Sequence, residues 1–410
     1  MVPGPAPSSP QKRPAMPMAE PIMKNALLFL ALLLPGLAFA QVPDRPAAMP
    51  TPAAPQLGAR SYVLMDYNSN RVLVEQDADR RSDIASMTKL MTGYVVFQEL
   101  ASGNARLDDV VPVSETAWRT GGSRMFIEPG MTVTLEELLM GMIVQSGNDA
   151  SVALAEYLAG SEAAFAEVMN YYAAELGMTN TNFVNATGLP DENHYSTARD
   201  VALLSQAIIR DFPEYYPWYS QKEYTFNGIR QHNRNNLLWR DPAVDGLKTG
   251  HTEAAGYCLA SSAKDQGMRL ISVVMGSASE QSRASESQSL LSYGFRFFET
   301  LQLYRAGDPL TEARVWKGEA DAVELGVADD LFVTIPRGRY DDLEARLNLQ
   351  DTLTAPIEQG QRLGSVSIEL DGEAIADLDL SALGPVREAG FLGRGWDAMV
   401  LWSQGLFGDE

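Results

Sequence analysis

The feature that most constrains the fold is the position of the β-type segments, which lie on both sides of a long helical region. Residues 61–66 and 71–76 form two short β-rich runs that predict a hairpin. Runs of the same type return at 257–263 and 270–275. A sheet that pairs the first hairpin with the late strands, with the intervening helices packed against it, accounts for this order. We therefore predict an α+β domain with an antiparallel sheet over residues 57–301.

Hydrophobic spacing predicts the helices that connect these runs. The first helix is expected to begin near Asp83 and to extend to Leu100. A second helix is expected after Thr134, which forms a capping-box pattern with Glu137. Further helices are predicted at 149–159, 162–176, 197–210 and 284–300.

The sequence changes in character after Leu303. Short alternating runs separated by Gly, Pro and Asp predict a small all-β domain over residues 302–386. In the last segment, residues 387–410, the stretch Phe391–Phe407 places most of its aromatic and aliphatic side chains on one half of a helical wheel. This stretch is too short and too polar to span a bilayer. It therefore predicts an amphipathic helix that anchors the protein to a membrane surface.

The N-terminal region has the pattern of an export signal. A positively charged start precedes an apolar run over residues 26–34, and Ala38-Phe39-Ala40 is a small-x-small cleavage site. We predict that residues 1–40 form an upstream segment and a signal peptide, and that residues 41–56 form a Pro/Ala linker. Both termini predict an exported protein that is peripherally bound to the periplasmic side of the inner membrane.

Composition argues against several classes of function. The formal net charge of −21 argues against nucleic-acid binding, because a run of phosphates needs cationic partners. The three histidines lack the spacing of a zinc protease, and we expect neither a metal nor another cofactor. The sequence contains no G-x-S-x-G nucleophile elbow. Its single cysteine, Cys258, cannot form an intrachain disulfide.

Three short motifs follow one another along the chain. Ser86-Met87-Thr88-Lys89 is an S-x-x-K sequence at the start of a predicted helix. Ser146-Gly147-Asn148 is an S-x-N sequence between two predicted helices, and Lys248-Thr249-Gly250 is a K-T-G sequence that leads into a predicted strand. Each motif alone is a weak signal, since such short strings occur by chance. The three in this order, on fitting elements, predict a serine acyl-transfer site.

The residue types in these motifs fit that chemistry. A serine hydroxyl is a poor nucleophile until a base takes its proton, and Lys89 shares a helix face with Ser86. Lysine acts as a base only if its pKa falls from about 10.4, which burial and a neighbouring cation such as Lys248 promote. Ser146 can bridge the two lysines and pass a proton to the leaving amine. Asn148 can bind the substrate amide or hold Lys89, and the K-T-G strand offers a backbone edge to an extended peptide.

In these motifs the chain resembles the low-molecular-mass penicillin-binding proteins, specifically the D,D-carboxypeptidases. The segments Lys248–Tyr257, Ser196–Asp200 and Tyr293–Phe298 are similar to further stretches of that family. The resemblance implies a β-lactamase/transpeptidase-like catalytic domain. It also implies a serine-type carboxypeptidase that removes the terminal D-alanine from peptidoglycan stem pentapeptides. The family resemblance further implies an acyl-enzyme on Ser86 and acylation of the same residue by β-lactam antibiotics.

The resemblance also implies which residues bind the substrate. They are Asn148, Lys248, Thr249, Gly250, His251 and Arg283. Of these, Arg283 is expected to bind the terminal carboxylate of the peptide. The backbone N–H groups of Ser86 and His251 are expected to form the oxyanion hole. Thr187 is a departure from the family, since some members have histidine there, and this leaves the handling of the deacylating water open.

Three alternative functions remain open at this point. A class A β-lactamase shares the order of the motifs but needs an E-x-x-L-N string before K-T-G, and the string in this chain, Glu344–Asn348, lies after it. A D,D-endopeptidase that cuts peptidoglycan crosslinks uses the same machinery, although the shorter endopeptidases generally lack the β domain. A binding module without turnover would keep the fold, but the intact Ser86, Lys89 and Lys248 argue against it.

Overall fold

The structure, a computed structural model, describes residues 50–390. The predicted signal peptide and the predicted amphipathic helix at 391–407 lie outside these residues. Within the part of the chain that is described, no helix combines the length and the apolar character needed to cross a bilayer.

A five-stranded antiparallel sheet with the strand order β2-β1-β9-β8-β7 organises the N-terminal domain. The strands of this domain are β1 (Ser61–Asp66), β2 (Val72–Gln76), β3 (Val110–Val111), β4 (Val133–Thr134), β5 (Glu223–Phe226), β6 (Ile229–His232), β7 (Val244–Thr252), β8 (Gly256–Asp265) and β9 (Met268–Ser277). Because β1 pairs with β2 on one side and β9 on the other, the predicted pairing of the first hairpin with the late strands is confirmed.

Helices cover both faces of this sheet. They are α1 (Lys89–Ala101), α2 (Glu115–Arg119), α3 (Leu135–Gln145), α4 (Asn148–Ala159), α5 (Glu162–Glu175), α6 (Ala198–Asp211), α7 (Leu237–Arg240) and α8 (Glu280–Phe297). Along β1, Val63 and Met65 contribute to the larger hydrophobic core, whereas Tyr62 and Leu64 contribute to the core beneath α8. This alternation follows from the two-residue repeat of a strand. The sheet is therefore a middle layer that both cores hold in place.

Helix α1 lies inside the larger core and carries the S-x-x-K lysine. Every residue from Lys89 to Phe97 is buried, as expected for a helix that is surrounded by other elements. A 3-10 turn over Ala85–Thr88 precedes α1 and leaves Ser86 partly exposed. The predicted helix start at Asp83 is therefore wrong. Ala85 has a left-handed φ of 47°, which a continuous right-handed helix does not tolerate.

The C-terminal domain contains only strands and one 3-10 turn within the described residues. Its strands are β10 (Phe298–Tyr304), β11 (Pro309–Trp316), β12 (Ala322–Val327), β13 (Leu331–Pro336), β14 (Leu343–Leu349), β15 (Leu353–Thr354), β16 (Arg362–Leu370) and β17 (Glu373–Ala382). Six of them form a sheet in the order β14-β16-β17-β12-β11-β15, and β10 pairs with β13. Glu344 is exposed on β14, so the E-x-x-L-N string belongs to this β domain.

Helix α8 differs from its predicted bounds. It begins at Glu280, after Ser279 as the N-cap, and it ends at Phe297 rather than at Thr300. The next residue, Phe298, starts β10, whose alternating side chains pair with β13. Because pairing with β13 requires an extended backbone from Phe298 onward, the helix ends before Thr300.

A buried carboxylate connects the two domains. Asp66, at the end of β1, is fully buried and accepts hydrogen bonds from the Ser69 hydroxyl at 3.0 Å and from the Thr300 hydroxyl at 2.6 Å. The Thr334 hydroxyl lies 2.6 Å from that of Ser69, and Arg71 donates to the Thr334 carbonyl at 2.5 Å. The first hairpin is thus tied to β10 and β13 through partly buried polar bonds.

Candidate active site

The S-x-x-K motif forms the centre of the site. Lys89 Nζ lies 3.0 Å from Ser86 Oγ, so the predicted contact forms even though Ser86 lies on the 3-10 turn before α1. The lysine side chain is only 1% exposed, whereas Ser86 is partly exposed. The structure therefore brings a buried amine into hydrogen-bond contact with a hydroxyl that a ligand can reach.

Two further acceptors determine how Lys89 presents its lone pair. Its Nζ donates to Asn148 Oδ1 at 2.7 Å and to the Thr187 carbonyl oxygen at 2.6 Å. A carbonyl oxygen and an amide oxygen can only accept. When Lys89 is a neutral amine, its two N–H groups satisfy these acceptors and its lone pair remains for the Ser86 hydroxyl proton. The three contacts therefore orient the amine as a base toward Ser86.

The surroundings of Lys89 lower its pKa to about 7. Burial is the largest cause, because removing the ammonium from water disfavours the charged form. The positive charge of Arg234 lowers the pKa further, while Asp149 and Glu162 raise it. At neutral pH a large fraction of Lys89 is consequently unprotonated, which general-base catalysis requires.

The S-x-N motif brings a second hydroxyl toward a second lysine. Helix α3 starts with the predicted capping box of Thr134 and Glu137, and it ends where Ser146 adopts a left-handed φ of 67°. This turn directs the Ser146 hydroxyl to Lys248 Nζ, which donates to it at 2.9 Å. Burial lowers the pKa of Lys248 well below its ordinary value, and the positive charge of Lys89 adds to the effect.

The loop before α3 fixes the orientation of the S-x-N asparagine. Asn148 Nδ2 donates to the Gly121 carbonyl at 2.7 Å, so its Oδ1 must face Lys89. The neighbouring Asp149 is fully buried and accepts from the backbone N–H groups of Met125 and Phe126, each at 2.9 Å. Asp149 thus holds the loop that orients Asn148. No sequence motif points to this role of the carboxylate.

The K-T-G motif lies within β7, next to the S-x-x-K turn. A Cβ atom on Gly250 would come within 2.7 Å of the Ile84 carbonyl oxygen, so only glycine allows this close approach. Thr249 is buried beside it, whereas His251 is exposed and stacks on Tyr257 with ring centroids 4.0 Å apart. The structure therefore places the K-T-G strand directly beside the S-x-x-K turn.

Two arginines contribute positive charge to the cleft in different ways. Arg283 is 3% exposed, and its guanidinium donates to the Gly250 carbonyl at 3.2 Å and to the Arg234 carbonyl at 3.4 Å. It also pairs with Glu280 at 3.6 Å, so its guanidinium connects β7 to α8. Arg234 is exposed, and its charge lowers the pKa of both lysines. Arg234 could not be predicted as a site residue, because it lies in a polar loop without a recognisable motif.

Thr187 contacts Lys89 through its backbone carbonyl, not its side chain. Its hydroxyl instead donates to Asn185 Oδ1 at 3.0 Å, and the same oxygen accepts from the Gly188 N–H at 2.7 Å. Threonine in place of histidine therefore leaves the contact with the base intact.

Two models of known protein families match this chain. A peptidase S11 family model, described as D-alanyl-D-alanine carboxypeptidase, matches residues 48–279, which is more than half of the chain. The chain belongs to the D-alanyl-D-alanine carboxypeptidase family. A second model, the C-terminal domain of penicillin-binding protein 5, matches residues 298–388. The carboxypeptidase family resemblance and the α+β domain followed by a β domain are thereby confirmed.

Some relatives match nearly the whole chain, whereas others match only part of it. D-alanyl-D-alanine carboxypeptidase DacA of Escherichia coli K12 is 45% identical over 395 residues, covering 94% of this chain and 98% of DacA. The structure of penicillin binding protein 5 from Haemophilus influenzae gives a TM-score of 0.80 at 46% identity, covering 82% of this chain and 99% of that one. Penicillin-Binding Protein D2 of Listeria monocytogenes in its ampicillin-bound form gives a TM-score of 0.54 at 32% identity, covering 58% and 98%.

The charge of Arg234 should influence the pH dependence of kcat/KM. Because the positive charge of Arg234 lowers the pKa of Lys89, the substitution Arg234→Gln should raise that pKa. The acidic limb of the kcat/KM profile, which falls as Lys89 becomes protonated, should move to higher pH by about 0.5. The measurement is the pH dependence of kcat/KM between pH 5 and about 9.

Arg230→Gln is a matched control, since Arg230 is exposed and pairs with Glu223. It should leave the acidic limb unchanged. If the limb stays in place in Arg234→Gln as well, the charge of Arg234 does not act on the base.

Proposed function

We propose that this protein is a serine-type D-Ala-D-Ala carboxypeptidase that removes the terminal D-alanine from peptidoglycan stem pentapeptides through an acyl-enzyme on Ser86. The observation that carries the proposal is the contact of Lys89 Nζ with Ser86 Oγ at 3.0 Å, made by a buried amine with a pKa lowered to about 7. Membership of the carboxypeptidase family and the 45% identity to DacA support the substrate class.

Acylation begins with proton transfer from Ser86 to Lys89. The Ser86 Oγ forms a bond to the carbonyl carbon of the penultimate D-alanine, and the carbonyl oxygen becomes an oxyanion. The N–H groups of Ser86 and His251 would stabilise that charge. When the oxyanion collapses, the bond between carbon and nitrogen breaks. The proton that Lys89 took from Ser86 passes to the leaving amine through the Ser146 hydroxyl, which accepts a hydrogen bond from Lys248 at 2.9 Å. Lys89 is then a neutral amine again and can act as the base in the second step.

Deacylation reverses these roles with water as the nucleophile. Water attacks the ester carbon while Lys89 accepts its proton, and the new carbon–oxygen bond replaces the bond to Ser86. The proton returns to Ser86 Oγ as the shortened peptide leaves. Lys89 is suited to both steps, because its contacts with Asn148 and the Thr187 carbonyl do not involve the substrate.

The positive charge of the cleft fits a substrate with a free carboxylate. Lys248, Arg234 and Arg283 are close enough that the charges of the two arginines lower the pKa of the lysine. A terminal carboxylate relieves this repulsion, whereas the internal peptide of a crosslink brings no such charge at that position. Together with the β domain at residues 298–388, this favours carboxypeptidase over endopeptidase activity.

The same nucleophile accounts for inhibition by β-lactams. Their strained amide carbonyl takes the place of the peptide carbonyl, and ring opening leaves the fragment attached through the ester to Ser86. The ampicillin-bound structure of the Listeria relative supports this proposal.

Substitution of Ser86 tests the proposed reaction. Wild-type protein should release D-alanine from a D-Ala-D-Ala-terminated muropeptide and should be labelled by fluorescent penicillin. Ser86→Ala should lower both by about 10³-fold or more, because the covalent route is lost. Its melting temperature should stay close to wild type, since Ser86 is only partly buried.

Ser114→Ala is the control, because Ser114 is a helix-capping serine away from the three motifs. It should keep its labelling. Peptide mapping that places the penicillin adduct on another serine would contradict the assignment.

For localisation we propose export and peripheral attachment to the periplasmic side of the inner membrane. The signal-peptide pattern of residues 1–40 supports export. The aromatic and aliphatic half of Phe391–Phe407 supports attachment to the headgroup region of the membrane. Acidic residues at 397, 409 and 410 offset nearby arginines, so the attachment should depend on apolar burial and only slightly on salt.

Truncation after Pro385 tests the membrane anchor. The full-length protein should sediment with membranes and resist a salt wash, whereas the truncated protein should move to the soluble periplasmic fraction. The mass of both proteins should correspond to cleavage before Gln41. If the truncated protein stays with membranes as firmly as the full-length protein, the anchor lies elsewhere.

A further inference from the structure

His194 lies outside the three motifs, yet its ring contacts the S-x-x-K turn. The imidazole is 3% exposed and packs against Phe183 with ring centroids 5.7 Å apart. Its Nε2 lies 2.7 Å from the hydroxyl of Thr88, the residue between Met87 and Lys89. A buried histidine in contact with a motif residue can act on the site through that contact.

The hydrogen bonds around His194 determine its tautomer. The backbone N–H of Val184 donates to Nδ1 at 3.2 Å, so Nδ1 carries no proton. The neutral ring must then carry its proton on Nε2 and donate to Thr88 Oγ1. Burial lowers the pKa of His194 to about 4, which keeps the ring neutral at the pH of the reaction. Thr88 in turn donates its own hydroxyl proton to the Ala85 carbonyl at 2.8 Å.

This chain of bonds ends on the peptide group that precedes the nucleophile. The Ala85 carbonyl and the Ser86 N–H belong to one planar peptide unit, so they point in opposite directions and turn together. Ala85 has a left-handed φ of 47°, a conformation that needs support from its surroundings. Gly188 leaves room for this conformation, since a Cβ atom there would lie 1.8 Å from the Ala85 carbonyl oxygen.

We propose that His194 is a positioning residue that acts through Thr88 to orient the Ser86 N–H toward the oxyanion. The inference rests on the proposed function, because it concerns the transition state of acylation on Ser86. His194 itself touches neither substrate nor nucleophile. Through the Thr88 hydroxyl it holds the Ala85 carbonyl in place, and this keeps the whole Ala85–Ser86 peptide unit in its orientation.

Two substitutions of His194 distinguish its hydrogen bond with Val184 from its hydrogen bond with Thr88. In His194→Gln the side-chain amide nitrogen can occupy the position of Nε2 and donate to Thr88. In His194→Asn the shorter side chain can accept from the Val184 N–H but does not reach Thr88. A merely structural role in the loop would make these variants equivalent, or would favour asparagine.

The experiment measures the rate of acylation by fluorescent penicillin and the kcat and KM for D-alanine release. We expect His194→Gln to stay within a few-fold of wild type. His194→Asn should lose about 10- to 100-fold in acylation rate and kcat with little change in KM, because a misplaced oxyanion donor affects the transition state more than binding. Equal activity of His194→Asn and wild type would overturn the inference.

Thr88 provides a second test that does not require a change at His194. Thr88→Ser keeps the hydroxyl and should retain acylation, whereas Thr88→Val removes it and should lose as much as His194→Asn. The double variant His194→Asn, Thr88→Val should be no slower than either single variant, since both break one chain of bonds. Additive losses would show that the two residues act independently and would overturn the inference.

The assays also distinguish this inference from the proposed function. Wild-type protein that neither reacts with penicillin nor releases D-alanine would contradict the proposed function and, with it, the role of His194. Active wild type together with unaffected Thr88→Val would contradict the role of His194 alone.

Discussion

Lys89 is kept out of water by the helices packed around α1, and the chemistry of the site depends on this burial. An exposed lysine would remain protonated at neutral pH and could not take the Ser86 proton. Burial also has a cost to the fold, since the folded protein must hold a cation in its core below about pH 7. Because the unfolded chain binds the proton up to a higher pH, this destabilisation is complete below pH 7 and is relieved as the pH rises toward about 10.4.

Polar contacts in the rest of the site direct the lone pair of the buried Lys89 toward Ser86. Asn148 and the Thr187 carbonyl use the two N–H groups of the neutral amine, which leaves its lone pair for Ser86. Lys248 is buried beside the second hydroxyl, and the positive charge of Lys89 further disfavours the charged form of Lys248. Each catalytic group therefore depends on polar contacts with segments that are far apart in sequence. The central sheet and its two helical layers hold these segments together.

The sequence predicts those elements whose signal is local. The capping box of Thr134, the first hairpin and the antiparallel α+β architecture all follow from spacing and turn chemistry. The left-handed Ala85 and the early end of α8 do not, because tertiary contacts determine them.

The catalytic motifs were recognisable for the same reason, since their spacing is short. Arg234, Asp149 and His194 carry no such local signal, because each acts on a residue that is distant in sequence. The family resemblance points to Arg283, but its bonds to the Gly250 and Arg234 carbonyls become apparent only in three dimensions.

The central claim is that Lys89 is a largely neutral amine near physiological pH. The most direct measurement is an NMR titration of the lysine ε-carbons in ¹³C-lysine-labelled protein, with the Lys89 signal assigned by its loss in Lys89→Arg. The account predicts a titration midpoint of about 7 for this signal in the free protein. A midpoint near the ordinary lysine value of about 10.4 would contradict the account, because the amine would then be protonated when the reaction takes place.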